Sequence, residues 1–75
     1  MSNLFQAAKA LEPDNIFSTE EVLKMLGDIN ITRLYAYLKH AGMTTRKLAD
    51  GTPYFTKEDY RKLVFRGEVL NHDGN

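Results

Sequence analysis

Two glycines, Gly27 and Gly42, fence off two stretches of chain that each have the length and punctuation of a short helix. The first opens at Ser18, a good helix cap, with Glu21 three residues on to complete a reciprocal box. It runs to about Leu26 and turns Val22, Leu23 and Leu26 inward, and Gly27 stands where a left-handed C-terminal residue belongs. The second is capped by Asn30 or Thr32 and places Ile31, Leu34, Tyr35 and Leu38 at the i, i+3, i+4 and i+7 positions of an apolar stripe. Only Asp28, Ile29 and Asn30 connect the two. Helices joined by so few residues must cross steeply, which is the helix-turn-helix arrangement.

The flanking segments supply the rest of a small core. Leu4, Phe5, Ala8 and Leu11 form one helical stripe near the start of the chain, expected to cover that core. Pro13 stops this helix, Asp14-Asn15 turn the chain, and Ile16-Phe17 make a short apolar lead-in to Ser18. Beyond Gly42 the period changes. Thr44 to Leu48 suit a strand, and Pro53, Tyr54 and Phe55 suit its return. Between them Asp50-Gly51 is a hairpin turn whose two positions both want positive φ. Pro53 lacks a backbone donor and is expected on the edge side of that ribbon. Thr56 caps a last helix, Tyr60, Leu63 and Val64 face inward, and Gly67 closes it. The expected fold is mainly α with a small β-hairpin, a winged helix-turn-helix. It forms a single domain over residues 1–75, folded from about 3 to 70 and disordered over 71–75.

Charge is segregated along this chain. Formal net charge is zero, yet residues 1–30 carry two cations against five acids and residues 31–66 carry eight against three. Such a division offers one basic face to a polyanion. Cysteine is absent from the 75 residues, which removes disulfides and thiolate metal sites together. A single core at this length supplies only about 3–5 kcal/mol, so a partner is the remaining prop. His40 and His72 lie 32 positions apart, with no ligand spacing, and no metal or cofactor is expected.

No reacting group stands out either. Ser18 is explained by capping, Glu20 and Glu21 point in different directions from their helix, and no glycine-rich phosphate loop is present. The chain is therefore not expected to be an enzyme. Its apolar runs are far too short to span a membrane, and it has no basic-then-apolar leader. A cytoplasmic location is expected, which the lack of cysteine suits.

From Phe17 to Gly27, through the second helix from Ile31 to Gly42, the Asp50-Gly51-Thr52-Pro53-Tyr54-Phe55 wing and Thr56 to Asp59, the sequence resembles a MerR-like winged-helix domain. Phage excisionases of similar length share that plan. The resemblance covers about residues 16–66, and the stretch between Gly27 and Gly42 is about two residues longer than the family usually has. Arg33-Leu34-Tyr35 to Gly42, with Arg66-Gly67-Glu68-Val69, also resembles the C-terminal domain of phage antirepressors of the KilA-associated type. Both resemblances imply mobile-element biology and double-stranded DNA, in a small phage or plasmid transcriptional regulator or an excisionase-like architectural factor.

In such a fold the N-terminal exposed residues of the second helix meet base edges in the major groove. With Ile31, Leu34, Tyr35 and Leu38 inward, the outward set is Asn30, Thr32, Arg33, Ala36, Tyr37 and His40, with Lys39 beside them. Arg33 has the fork for guanine, and Asn30 could pair with adenine or simply cap the helix. Thr32 and Tyr37 could reach phosphates or a thymine methyl. His40, near the helix end, is also explained as a favoured surface cation. Arg46 and Lys47 lie on consecutive strand positions and point to opposite faces, to hold phosphate or to guard the edge strand. Lys57, Arg61 and Lys62 read as a solvated face. One module covers too little DNA for strong specificity, so a homodimer or cooperative neighbours are expected. Phe65, Val69 and Leu70, or the Leu4 stripe, could supply that contact. A different class of function fits the acidic first thirty residues better: a protein-binding antirepressor or inhibitor that occludes a host or phage protein.

Overall fold

The computed structural model describes the backbone from residue 3 to residue 73 and the side chains to residue 70. Four helices, α1 (Asn3–Leu11), α2 (Thr19–Met25), α3 (Ile31–Ala41) and α4 (Lys57–Asp73), enclose three short strands. The strands are β1 (Ile16–Phe17), β2 (Arg46–Lys47) and β3 (Pro53–Thr56), paired antiparallel in the order β1-β3-β2. The fold is thus mainly helical with a small sheet. Among the described residues no helix is long and apolar enough to cross a membrane.

Each helix begins where its side chains can close the first turn. Ser18 and Glu21 form the reciprocal box at α2, with both hydrogen bonds at 3.1 Å. The Asn30 side chain accepts from the Arg33 amide at 2.8 Å, so Asn30 and not Thr32 caps α3. Thr56 and Asp59 repeat the box at α4, at 3.2 and 3.1 Å. Between α2 and α3 two successive residues are left-handed, Gly27 at φ +96° and Asp28 at φ +59°, and the Ile29 amide returns to the Leu23 carbonyl at 3.2 Å. This turn fixes how α3 departs from α2.

The sheet departs from a simple ribbon in two ways, a third strand and the form of the turn. Ile16 and Phe17 form a third strand, facing Thr56 and Phe55. That makes β3 central from Phe55 onward, while Pro53 at its start keeps an open side, the edge side expected from its missing donor. It is tolerated because β1 reaches only Phe55 and leaves Pro53 beside β2 alone. The turn itself is a three-residue loop, Ala49-Asp50-Gly51, closed by the Leu48 amide on the Thr52 carbonyl at 2.9 Å. Only Gly51 has positive φ, +87°. Asp50 instead accepts a hydrogen bond from the Thr52 amide at 3.0 Å, the work of a turn residue with ordinary φ.

Val22, Leu34, Tyr37, Leu38, Phe55 and Leu63 form the core. Here α3 is rotated relative to its sequence reading. Tyr37 is 5% exposed, whereas Tyr35 is 60% exposed and Ile31 is exposed as well. The reason lies on α4. Gly67 does not close that helix but sits within it, and a Cβ there would lie 2.9 Å from the Tyr37 ring. The missing side chain is the space the ring occupies. Because α4 continues to Asp73, residues 71–73 are helical and not a disordered tail; residues 74 and 75 lie outside the described residues.

The N-terminal helix is held by one edge. Phe5 is buried, but Leu4 and Leu11 face outward, so the four-residue stripe does not cover the core. Lys9 anchors α1 by donating to the Ile16 carbonyl at 2.6 Å and to the Glu21 carboxylate at 3.0 Å, with its ammonium 4.6 Å from the Phe17 ring centre.

Candidate nucleic-acid interface

With Leu34, Tyr37 and Leu38 turned inward, 100° per residue assigns the outer side of α3. Thr32 and Ala36 stand at its centre. Tyr35 and Lys39 lie on one flank, Arg33 and His40 on the other, and all six are exposed. The helix contains no acidic residue, and its N-terminal turn, with the partial positive charge of the helix end, belongs to this same surface.

Beside the Tyr35 flank runs a groove between α3 and the hairpin. Leu34 and Phe55 form its floor, and Thr19, Tyr35, Thr44, Thr45 and Lys47 line its walls. Three hydroxyls, a phenol and an ammonium are the groups that hydrogen-bond or neutralise a phosphate. Thr19 arrives there because the Ser18 box starts α2 at that point.

The two cations of β2 have different fates. Arg46 binds Asp59, Nε to Oδ2 at 2.6 Å and Nη2 to Oδ1 at 3.3 Å, and so fastens the hairpin to the first turn of α4. The Asp59 side chain is only 5% exposed. Burial opposes its ionisation, but the Arg46 hydrogen bond, the Thr56 amide and the Arg46 charge outweigh that and hold its pKa below the ordinary carboxylate value. The same bond raises the Arg46 pKa. Arg46 is thus a structural cation with its charge compensated. Lys47, pointing to the other face, is exposed at the groove.

No family model matches the chain, and neither a curated protein nor a solved structure is significantly similar to it. Of the residues singled out from sequence, Thr32, Arg33, Lys39, His40 and Lys47 are exposed on α3 and the hairpin. Asn30 is exposed but committed to its cap, Arg46 to Asp59, and Tyr37 to the core. Tyr35, Thr19, Thr44 and Thr45 were not singled out. A signal for Tyr35 did exist. Leu34, Tyr37, Leu38 and Ala41 match the i, i+3, i+4, i+7 template as well as the stripe starting at Ile31 does, and that second stripe frees Tyr35.

Proposed function

We propose that this chain is a winged helix-turn-helix module that binds double-stranded DNA and carries out no catalysis. The Thr32–Ala36 face of α3 enters the major groove, with Arg33 reaching a base edge from one flank. Tyr35, the threonine hydroxyls and Lys47 hold the adjacent backbone in the groove beside the hairpin. The observation that carries this reading is the continuity of two surfaces: an acid-free exposed helix face runs directly into a groove walled by hydroxyls and Lys47. The phage or plasmid setting, as regulator or excisionase-like factor, follows only from the sequence resemblance and belongs to the same proposal.

Pairing of Arg46 with Asp59 lowers the number of phosphates this surface can neutralise. With Arg33 at a base edge, Lys39 and Lys47 remain for phosphate, which corresponds to a log–log salt slope of about −2. Titration of a random 20-base-pair duplex at several salt concentrations measures it. Absence of binding at low salt, or binding indifferent to salt, overturns the proposal in favour of a protein-binding role.

A further inference from the structure

A second groove runs between the end of α3 and the outer face of α4. Met43 and Phe65 give it an apolar floor, and Arg61, Lys62 and Arg66 rim it. Phe65 is 59% exposed, with the Arg66 guanidinium 5.6 Å from its ring centre. Glu58, 3.8 Å from Lys62, offsets one of the three cations. An exposed aromatic ring in a basic rim fits an apolar surface with an acidic border.

The chain carries such a surface on α1. Leu4 and Leu11 lie on one line of the helix, 47% and 83% exposed, with the exposed Ala7 between them. Glu12 and Asp14, both exposed, border its end. Lys9, the single cation in α1, is turned away to Ile16 and Glu21, so α1 itself puts no positive charge on the stripe.

We propose that these two surfaces bind each other between copies, the α1 stripe of one molecule seated in the Phe65 groove of the next. A molecule cannot satisfy itself this way. Helix α1 packs on β1, at one edge of the sheet, whereas the Phe65 groove adjoins β2 at the other edge, where Met43 and Lys62 neighbour Arg46. A contact between unlike surfaces is head-to-tail and leaves one free surface of each kind on every pair, so copies add beyond the dimer, in a row or a closed ring according to the rotation between them. Both surfaces lie apart from the exposed face of α3, so the assembly forms with or without DNA, and this inference stands independently of the proposed DNA binding.

Sedimentation velocity of the chain alone, up to about 1 mM because so small a contact is weak, tests it. The sedimentation coefficient is expected to climb with concentration past the dimer value, and to fall back at high salt. Leu11→Lys and Phe65→Ala each change an exposed residue. Each is expected to weaken association about tenfold or more while leaving the far-UV circular dichroism of the wild type. An equimolar mixture of the two variants restores one intact contact per pair and is expected to give a heterodimer that grows no further. A wild-type monomer at every concentration, a plateau at the dimer, or a mixture that stays monomeric would each overturn the proposal.

Discussion

On one flank of α3 the Tyr37 ring lies so close to Gly67 that a single added carbon would strike it, while on the other Tyr35 stands 60% exposed above a polar groove. The α3–α4 seam is filled by matching a large residue to an absent one. The α3–hairpin side is spanned instead by a thin floor, Leu34 and Phe55, under hydroxyls and a lysine. Neighbouring residues of one short helix therefore answer to different demands. Substitutions of packed residues, in the seam or in the groove floor, should change stability, and those of the groove's walls should change binding.

Leu34 and Tyr35 test this division most sharply. Leu34 is fully buried, so Leu34→Ala is expected to cost about 2–5 kcal/mol in denaturant unfolding, enough to unfold much of so small a chain. Tyr35→Ala should stay within about 0.5 kcal/mol of the wild type in the same assay yet weaken duplex binding several-fold. A large stability loss at Tyr35 would erase the distinction between the flanks.

Gly67 gives the next effect. Alanine is the better helix former by about 1 kcal/mol, but overpacking against the Tyr37 ring costs about 1–3 kcal/mol. Gly67→Ala is therefore expected to destabilise the protein by about 1 kcal/mol. In a Tyr37→Leu background the clash is gone, and the same substitution should stabilise. Failure of the sign to reverse in this double-mutant cycle would mean that the seam is not set by that contact.

These contrasts also explain what the sequence could and could not convey. The box at Ser18 and the cap at Thr56 were legible, and the α3 cap was narrowed to Asn30 or Thr32, because each depends on residues at most three positions apart. The phase of α3 was not, because two apolar stripes share one spacing and the residue that chooses between them, Gly67, lies on another helix. Likewise the two residues of β1 are too few to show a period. The Arg46–Asp59 pair spans 13 positions and joins two elements, so nothing local marks Arg46 as spent and Lys47 as available. Exposed, unpaired residues such as Arg33 were easier to anticipate than residues whose role is set by a distant neighbour.

Acid should loosen the hairpin end of the molecule before the seam. Asp59 has a folded pKa below its ordinary value of about 3.9. The stability it contributes is therefore complete above that value and is lost as pH falls through the folded pKa beneath it. Glu21 shifts the same way: burial, which opposes ionisation, is outweighed by the Ser18 amide and Lys9. Melting temperature is expected to hold at neutral pH and drop below about pH 4. Asp59→Asn should lower it at pH 7 and narrow its gap to the wild type as pH falls. A gap constant with pH would mean that the Asp59 charge does not hold the hairpin.

The smallest expected effect separates the two cations of β2, which adjoin in sequence. Lys47 faces the groove with its charge unused, so Lys47→Ala should weaken binding to cognate and random duplex alike, lower the magnitude of the salt slope by about one, and leave the melt unchanged. Arg46 already shares its charge with Asp59, and a phosphate would have to compete with a buried carboxylate for the same fork. Arg46→Ala should therefore lower the melting temperature, because it leaves Asp59 buried without its cation, while the salt slope stays near that of the wild type. Measured together, slope and melt assign each residue without a structure of the complex. If Arg46→Ala lowers the slope as much as Lys47→Ala does, the ion pair opens on DNA, and the hairpin presents two phosphate contacts in place of one.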